Sequence, residues 1–446
     1  MKPLLIRDGQ LFDPGQGINE SWSLFIKDGV IAWLGKTRMM PPQLDCDVIS
    51  AQGLVIAPGF IDLHCHLREP GFEEKETIAT GSQAAARGGF TTVCCMPNTL
   101  PPLDNRETVE FVLAKAAEGV AVRVLPVGCI TRGRKGEGLV DMAELASAGV
   151  VGFSDDGDTV SNPDLMRQAL ELSRKLGLPV IEHCEDKSLS KGGIVNEGVV
   201  SARLGLRGIP PAAEESIVAR DLELARLTGG RIHVAHVSTR DSVELIRRAK
   251  EKGVTVTAEV TPHHLTLTEE EVANHGTNAK VNPPLRTRQD VEVLIEALND
   301  DTIDVIATDH APHTVAEKSL PMEEAPFGIS GLETAFGSLM GLVYAEKVSI
   351  ETLIARLTAV PASILGEKFG KLGVLEFGAV ADVVIFDPTK EWVVDPDAFI
   401  SKGRNTPLAG RTLKGKVMAT ISRGQLVYKD DSLDLNTPQD NLRGRW

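Results

Sequence analysis

The chain lacks an apolar run that could cross a membrane, because no span of about 18 consecutive apolar residues occurs in it. Its start, residues 1–7, is also too short in apolar length to resemble a secretory signal peptide. Basic residues are in deficit: 47 Lys and Arg stand against 62 Asp and Glu, for a net charge of -15. These absences argue against a membrane protein and against a nucleic-acid or anionic-membrane partner.

Cysteine is scarce and scattered, which argues against a disulfide framework. Several of the six cysteines lie in predicted strands, where a reduced Cys serves as a small hydrophobe. We therefore expect a reducing, cytoplasmic location. The content of 42% hydrophobic and 24% charged residues is that of a globular protein, and the acidic surface leaves a small anionic substrate open.

Two β-rich ends flank a different middle. The first end, residues 1–56, holds strand-like runs with two hairpin-type turn signals, Asp8-Gly9 and Asp28-Gly29. Similar runs occur in residues 366–446. We predict that the two ends form one small composite β-sandwich domain.

The middle, residues 57–365, alternates strand-like and helical segments. Eight apolar runs are predicted as strands: 55–63, 90–96, 121–130, 149–154, 179–184, 231–237, 254–262 and 303–309. The predicted helices are 107–117, 163–176, 213–228, 241–252 and 289–298. This α/β pattern predicts a (β/α)8 TIM barrel. A doubly wound sheet is disfavoured, because no Gly-x-Gly-x-x-Gly occurs at the first βα turn.

His64 and His66 end the first predicted strand of the barrel. In a strand, residues i and i+2 point to the same face, so both imidazoles aim at one point. Neutral imidazole is a common ligand of transition metals. A single His-x-His is equally compatible with structural hydrogen bonds. The residues at the other strand ends are therefore needed to distinguish metal binding from a structural role.

Four further strand ends carry His or Asp, and in a barrel the carboxyl ends of all strands meet at one face. These residues are Asp155 and Asp156 after the fourth strand, His183 after the fifth, His236 after the sixth and Asp309 after the eighth. Together the histidines and aspartates exceed what one tetrahedral zinc needs. Two adjacent metal ions are therefore favoured.

Lysine is absent from residues 136–174. Two neighbouring cations need an anionic bridge, and many binuclear amide hydrolases with this layout use a carbamylated lysine from the fourth strand. That group is excluded here, so an aspartate must take its place. Either Asp155 or Asp156 lies where the bridge belongs.

With these motifs the chain resembles the class I dihydroorotases of the amidohydrolase superfamily, over nearly its whole length. The motifs are His-Cys-His-Leu-Arg-Glu-Pro-Gly (64–71), Met-Pro-Asn-Thr (96–99), Ser-Asp-Asp-Gly (154–157), Val-Asn-Pro-Pro-Leu-Arg (281–286) and Thr-Asp-His-Ala-Pro-His (308–313). The family pattern has no departure at the positions that matter for its site.

The resemblance implies two Zn²⁺ ions per subunit, bridged by Asp156. The implied ligands are His64, His66 and Asp156 for one ion, and Asp156, His183 and His236 for the other. Asp309 is implied as the catalytic acid/base in contact with the metals. The implied substrate contacts are His66, Leu67, Arg68, Asn98, Asn282, His313, Phe327 and Gly328.

The implied reaction is the reversible cyclisation of N-carbamoyl-L-aspartate to L-dihydroorotate with loss of water, a step of pyrimidine synthesis. Arg68 is expected to hold the substrate carboxylate through its planar guanidinium, with Asn98 and His313 donating further hydrogen bonds. The alternative for Arg68 is a surface ion pair with Glu69 or Glu73.

Two other functions stay open. A related cyclic-amide hydrolase, such as an allantoinase or a dihydropyrimidinase, normally uses the lysine bridge that this chain lacks. A non-catalytic scaffold partner of aspartate carbamoyltransferase would have lost metal ligands, and all candidate ligands are present. The sequence decides neither a homodimer nor an association with that transferase.

The remaining histidines are predicted to lie outside the metal ligands: His233 as structural, His263, His264 and His310 as supporting groups, and His275 as solvated. Alternation along the strands points Cys65 and Cys184 away from the metals. Two long segments, 187–212 and 312–331, leave the catalytic face and are typical of lids or substrate clamps, although the first could be a solvated spacer.

Overall fold

A computed structural model describes residues 2–39 and 45–436. Its strands are β1 (Leu4–Asp13), β2 (Ile18–Lys27), β3 (Val30–Gly35), β4 (Asp47–Ser50), β5 (Val55–Pro58), β6 (Phe60–Cys65), β7 (Phe90–Cys95), β8 (Arg123–Pro126), β9 (Val180–Glu182), β10 (Val195–Asn196), β11 (Gly208–Ile209), β12 (Ile232–Val234), β13 (Val256–Val260), β14 (Val305–Ile306), β15 (Val383–Val393), β16 (Thr412–Ser422), β17 (Gln425–Lys429) and β18 (Leu435–Asn436).

The helices alternate with the strands through the middle of the chain. They are α1 (Ile78–Arg87), α2 (Arg106–Ala117), α3 (Met142–Ala148), α4 (Pro163–Leu176), α5 (Lys187–Ser190), α6 (Val199–Leu204), α7 (Ala212–Thr228), α8 (Arg240–Glu251), α9 (Pro262–Thr266), α10 (Glu270–His275), α11 (Arg288–Asn299), α12 (Val315–Lys318), α13 (Ala335–Tyr344), α14 (Ile350–Leu357) and α15 (Ala359–Leu365). Among the described residues, no helix has the length and apolarity that a membrane span requires.

The structure contains each of the predicted helices, with ends one or two residues at most from the predicted ones. Local sequence explains where these helices begin and end. In α4, Asn162 caps the first turn, because its side chain accepts the backbone N–H groups of Asp164 and Leu165. Pro163 occupies the first helical position, and Gly177 ends the helix with a φ of 71°. The apolar face of α4, formed by Met166, Ala169 and Leu170, is buried.

The strands of the middle are parallel, in two longer ladders and the short pair β10-β11. One has the order β6-β7-β8 and the other β14-β13-β12-β9. The prediction of a regular strand over 149–154 is wrong. This segment contains only isolated parallel bridges, from Phe153 to Gly128 and to Val180. Gly149 caps α3 in the left-handed region at a φ of 119°, so the extended backbone begins only after it and hydrogen-bonds to Pro126, Gly128 and Pro179. A further parallel bridge joins Cys65 to His310.

Strands from both ends of the chain pair in one nine-stranded sheet. Its main order is β17-β16-β15-β5-β1-β2-β3, with β4 paired to β1 and to β18. Side chains from both ends share one core, as Ile6 and Leu24 lie in the same buried cluster as Ile385 and Ile421. The predicted boundary at residue 56 falls within β5, which pairs with both β1 and β15.

The two predicted hairpin turns have different outcomes. Asp28-Gly29 does connect β2 to β3, with φ values of 51° and 83° that suit a two-residue hairpin turn. The turn predicted at Asp8-Gly9 is wrong, because both residues lie inside β1. The register against β2 shifts between Ile6 and Gly9, and Asp8 has a φ of 58°, so the signal marks an irregularity in the strand.

Both long segments noted in the sequence, 187–212 and 312–331, contain regular secondary structure, and the second contains α12. The segment 187–212 contains α5, β10, α6 and β11, and the buried guanidinium of Arg286 holds it. Arg286 donates to Asn196 Oδ1 at 2.7 Å, to the Ile209 carbonyl at 3.0 Å and to Ser238 Oγ at 3.0 Å. This segment is therefore tied to the strand ends, unlike a solvated spacer.

Candidate active site

Two groups of buried side chains with metal-binding chemistry meet at the carboxyl ends of the parallel strands. One consists of His64, His66 and Asp156, and the other of Asp156, His183 and His236. In each group the candidate ligand atoms all lie within 4.8 Å of one another. The structure thus brings five sequence-predicted ligands together, four imidazoles around the Asp156 carboxylate, which belongs to both groups.

The Asp156 carboxylate faces four imidazoles. Its Oδ1 is 3.4 Å from His64 Nε2. The same oxygen is 3.7 Å from His183 Nδ1 and from His236 Nε2. The other oxygen, Oδ2, is 3.5 Å from His66 Nε2. Oδ1 therefore faces imidazoles of both groups and Oδ2 faces His66, so this one carboxylate contacts both groups.

Unpaired atoms in this cluster test whether it fits a metal. Among the described residues, His64 Nε2 and Asp156 Oδ1 are buried and have no hydrogen-bond partner. Buried polar atoms are normally paired, so two such atoms facing each other are suited to a cation that both contact. Imidazole nitrogen and carboxylate oxygen are ligands of zinc and similar divalent ions. The residues fit a divalent transition metal.

Backbone bends at the strand ends bring the side chains to the cavity. The N–H of His66 donates to the His310 carbonyl and the N–H of Asp309 donates to the His64 carbonyl, each at 2.9 Å. His236 and Asp309 have φ values of 32° and 45°. Non-glycine residues enter this region only where the surrounding structure holds them, often at functional sites. The bends also explain why the observed strands are shorter than predicted.

Three of the four histidines have an acceptor on the ring nitrogen that faces away from Asp156. These contacts are His64 Nδ1 to Glu259 Oε1 at 2.5 Å, His66 Nδ1 to Asn98 Oδ1 at 2.9 Å and His183 Nε2 to Glu185 Oε2 at 3.1 Å. Such an acceptor holds the proton on the outer nitrogen and leaves the lone pair of the inner nitrogen for a metal.

The charges in the cluster stabilise its carboxylates. Burial alone would raise the pKa of Asp156, but the surrounding imidazoles, His64 first, lower it well below its usual range. Burial likewise opposes ionisation of Asp309, whose pKa is nevertheless lowered by the contact with His66 and by His64. Burial lowers the pKa of His66. At neutral pH the two carboxylates are therefore ionised and His66 is neutral, the form that binds a metal.

Asp309 lies beside the group of His64, His66 and Asp156 and belongs to neither metal-binding group. Its Oδ1 is 3.0 Å from His66 Nε2 and 3.6 Å from His64 Nε2, and it lines the cavity. An ionised carboxylate in this position can accept a proton and return it. Its predicted contact with a metal stays a prediction.

A cavity of about 500 Å³ opens over the cluster, a volume suited to a small molecule. Seven of the eight predicted substrate contacts line it: His66, Arg68, Asn98, Asn282, His313, Phe327 and Gly328. The exception is Leu67, whose side chain is buried in the hydrophobic core.

Arg68 presents its guanidinium to this cavity. Its Nε donates to the Pro312 carbonyl at 3.2 Å, and its Nη2 is 3.2 Å from His313 Nε2. Within the described part of the chain it forms no ion pair with a carboxylate, and the alternative pairs with Glu69 and Glu73 are not formed. Burial lowers the pKa of Arg68 to about 10, so the group stays charged at neutral pH. It is free to bind an anionic ligand.

Phe327 and Gly328 form one wall of the cavity. The Phe327 carbonyl accepts His313 Nε2–H at 2.8 Å, and the Gly328 carbonyl accepts the amide of Asn405 at 2.9 Å. Gly328 has a φ of 144°, and a Cβ there would lie 2.6 Å from the Ala311 carbonyl oxygen. Only glycine fits this close approach.

The structure distinguishes the two adjacent aspartates. The Asp155 carboxylate accepts the backbone N–H groups of Ile130 and Thr131, at 2.9 and 3.0 Å, and the hydroxyl of Thr131. It therefore ties a neighbouring loop in place, while the Asp156 carboxylate faces the imidazoles. Alternation along an extended segment sends the two side chains to opposite sides.

The other histidines and the two cysteines lie outside the metal-binding groups. Their contacts are His233 Nε2 to Glu259 Oε2 at 3.1 Å, His264 Nε2 to the Pro283 carbonyl at 3.0 Å, Gly331 N–H to His310 Nδ1 at 3.1 Å and Cys65 Sγ to the Cys94 carbonyl at 3.3 Å. For His233, His264, His310 and Cys65 these are supporting contacts, while His275 lies 3.2 Å from Glu271 Oε2.

Two buried carboxylates at the site are absent from the sequence-based prediction. Glu259 accepts from both His64 and His233, and Glu185 accepts from His183. For Glu185 a signal was present, because it follows His183 by two residues, the spacing that puts side chains on one face of a strand. Glu259 lies inside a predicted apolar strand, where its charge was the only signal.

Similarity to known proteins agrees with this site. A family model described as "Dihydro-orotase-like" matches residues 53–242. The chain is 53% identical to a dihydroorotase from Pelotomaculum thermopropionicum, over 96% of this chain and 99% of the relative. It is 48% identical to a dihydroorotase from Aquifex aeolicus, over 96% of this chain and 100% of the relative.

Solved structures identify the fold. An L-hydantoinase (dihydropyrimidinase) from Arthrobacter aurescens superimposes with a TM-score of 0.86 at 24% identity, covering 98% of each chain. The chain thus has the fold of this enzyme. Given its full-length relatives at about half identity, it belongs to the dihydroorotase family.

Proposed function

We propose that the protein is a dihydroorotase that interconverts N-carbamoyl-L-aspartate and L-dihydroorotate, a step of pyrimidine synthesis. The observation that carries the proposal is the juxtaposition of a carboxylate-centred imidazole cluster with the free guanidinium of Arg68 in one cavity. The first suits activation of an amide, and the second suits the substrate's carboxylate. The motifs of the class I enzymes support assignment to that class.

Two zinc ions per subunit are proposed for the two residue groups, with Asp156 shared between them. His64 and His66 would hold one ion, and His183 and His236 the other. Bound divalent ions supply a Lewis acid for the amide carbonyl and lower the pKa of water from 15.7 toward about 7. The ionised Asp156 between the two positions offsets the repulsion of two cations.

Asp309 is proposed as the residue that moves the proton. In the hydrolytic direction water adds to the ring amide: a C–O bond forms, the C–N bond breaks, and the ring nitrogen gains a hydrogen. Asp309 is ionised at rest and faces the cavity, so it can take the proton from water and deliver it to the departing nitrogen. In the cyclisation direction the same carboxylate works in reverse.

Arg68, Asn98 and His313 are proposed to hold the substrate carboxylate that does not react. The Arg68 fork can form two parallel hydrogen bonds to it. Asn282 and the Phe327-Gly328 wall would contact the rest of the substrate, and Leu67 would contribute only through its backbone, because its side chain is in the core.

We also propose that the parallel segments close into one barrel. The bridges from Phe153 to Gly128 and Val180 join the two ladders at one side, and the bridge from Cys65 to His310 joins them at the other. The shared terminal sheet supports a second, β-sandwich domain built from residues 1–56 and 366–446. Residues 40–44 and 437–446 of that domain lie outside the described part of the chain.

We propose a cytoplasmic location because of the state of the cysteines. All six are free and buried, which suits a reducing compartment. A homodimer and an association with aspartate carbamoyltransferase stay proposals that no described contact bears on. The two residue groups with metal-binding chemistry and the cavity above them favour an enzyme over a scaffold.

One sample tests the function: the purified protein, assayed for metal content and for ring opening of L-dihydroorotate. We expect bound zinc and turnover, with hydantoin and dihydrouracil as poor substrates because they lack the carboxylate that Arg68 would bind. Full metal occupancy without turnover of dihydroorotate would refute the proposal. Preferred turnover of hydantoin would instead indicate the activity named for the structural relative.

Replacing Arg68 by alanine is expected to weaken substrate binding. Loss of one partner of a buried charged pair costs about 2–4 kcal/mol, so KM for dihydroorotate should rise about 30- to 700-fold. The metal content should not change, because Arg68 contacts Pro312 and His313 and none of the metal-binding groups. Steady-state kinetics at saturating zinc measure the effect, and a wild-type KM would exclude the carboxylate contact.

A further inference from the structure

Glu185 touches both the metal-binding cluster and the substrate cavity. Its Oε2 lies 3.1 Å from His183 Nε2, 3.0 Å from Asn282 Nδ2 and 2.6 Å from Lys187 Nζ. The residue is 7% exposed and lines the cavity. A single carboxylate oxygen thus joins a candidate metal ligand to a candidate substrate contact.

The contact with His183 decides which ring nitrogen carries the proton. An ionised carboxylate is only an acceptor, so His183 Nε2 must donate to it. In the neutral ring His183 Nδ1 then keeps its lone pair, and this atom lies 3.7 Å from Asp156 Oδ1 and 2.8 Å from His236 Nε2. The inner nitrogen is the one that must bind a metal, and the opposite tautomer would put an N–H there.

The contact with Asn282 decides which end of its amide faces the substrate. Only the Nδ2 end can donate to Glu185, so Oδ1 is turned away from the carboxylate. An amide oxygen held in this way accepts a hydrogen bond from an N–H group. Cyclic amides and ureas carry such N–H groups beside the carbonyl that reacts.

Lys187 offsets the negative charge of Glu185. Its ammonium also donates to the Gly157 carbonyl at 3.2 Å, which holds it at the cavity beside the carboxylate. Without this cation, the carboxylate would repel an anionic substrate. The group is therefore arranged to direct hydrogen bonds without adding net charge to the cavity.

We propose that Glu185 is a positioning residue that selects the metal-facing nitrogen of His183 and the substrate-facing oxygen of Asn282. The Asn282 half rests on the proposed function, since it requires a substrate with an N–H group. The His183 half concerns the metal site alone.

Zinc affinity and steady-state kinetics of Glu185→Ala and Glu185→Gln test this role. Zinc affinity of Glu185→Ala, measured by chelator competition, should fall about 10- to 100-fold, as for other acceptors behind a metal-binding histidine. At saturating zinc, KM for dihydroorotate should rise about 3- to 10-fold, the effect of one misdirected hydrogen bond, with a smaller change in kcat. Glu185→Gln keeps an acceptor oxygen of the same shape, so it should restore part of both losses.

Glu197→Gln is the matched control, because it removes an exposed carboxylate from the same segment. Its zinc affinity and KM should equal those of the wild type. Circular dichroism and the Tm of Glu185→Gln will test whether this variant keeps the fold. If the alanine variant does not fold, the zinc affinity and KM of Glu185→Gln test the proposal.

Wild-type zinc affinity in a folded Glu185 variant overturns the His183 half, and a wild-type KM overturns the Asn282 half. If the wild type fails to open dihydroorotate while zinc affinity still falls in the variants, the proposed substrate is wrong and the His183 half stands. The two failures are therefore distinguishable.

Discussion

Asp156→Ala is expected to lose at least one bound metal ion per subunit and nearly all activity. The carboxylate is the one side chain that belongs to both metal-binding groups, so its removal leaves each group with imidazoles alone. Metal activation of the water and the carbonyl is worth several kcal/mol, which corresponds to a loss of about 10³-fold or more in kcat. Elemental analysis of the purified variant and the ring-opening assay measure the two effects.

Asp155→Asn is the control for this variant. It changes the adjacent carboxylate by the same charge, but that side chain binds the loop at Ile130 and Thr131 and does not face the imidazoles. We expect its metal content to match the wild type, with some loss of thermal stability. If Asp156→Ala instead keeps both metals and Asp155→Asn loses one, the bridge is Asp155.

Asp309→Asn is expected to lower kcat by about 10²- to 10⁴-fold, the usual contribution of a general acid/base. Asparagine has nearly the same shape and can still contact His66, but it cannot take up a proton at neutral pH. KM should change little, because Asp309 is not among the residues proposed to hold the substrate carboxylate.

Metal content separates the proton-transfer role of Asp309 from a purely structural one. Each metal-binding group has its three ligands without Asp309, so the variant should keep the wild-type metal content. A loss of metal equal to the loss of activity would show that Asp309 acts mainly as a ligand. Near wild-type kcat with full metal content would exclude it as the acid/base.

Both predictions depend on the same electrostatic feature. Two ionised carboxylates, Asp156 and Asp309, are buried at the end of the parallel strands, where burial alone would favour their neutral forms. The imidazoles beside them reverse that preference. Removing one carboxylate therefore changes the charge of the whole cluster, which is why single substitutions here should have large effects.

Much of the fold follows from local sequence patterns. The helix over Pro163–Leu176 has a capping Asn, a Pro in its first turn and a Gly at its end, so its limits are set locally. The segment 149–154 shows the limit of such reasoning. Its apolar residues predict a strand, but Gly149 caps the preceding helix, and the extended piece that follows forms backbone hydrogen bonds and isolated bridges without a regular ladder.

The turn signal at Asp8-Gly9 failed for a related reason. Asp-Gly reports a backbone that can adopt positive φ, and both a hairpin turn and an irregular strand use that freedom. At Asp28-Gly29 the next residues pair back on the same strand, whereas the residues after Gly9 continue along β1. Pairing with distant strands decided between the two outcomes.

The sequence by itself determined which chemistry reaches the ends of the strands, because the two-residue period of a strand and the parallel order of a barrel place His64, His66, His183 and His236 at one face. The absence of lysine from residues 136–174 also predicted a carboxylate among them, and the Asp156 carboxylate lies there. Neither prediction needed coordinates.

Only the tertiary structure decided which of two adjacent aspartates faces the imidazoles, and which carboxylates stand behind them. Alternation predicts that Asp155 and Asp156 point to opposite sides, but it does not predict which of them faces the imidazoles. In the structure the backbone N–H groups of Ile130 and Thr131 bind the Asp155 carboxylate, which leaves Asp156 to face the imidazoles. Glu259 reaches His64 across 195 positions of sequence, a contact set by strand packing that no local pattern encodes.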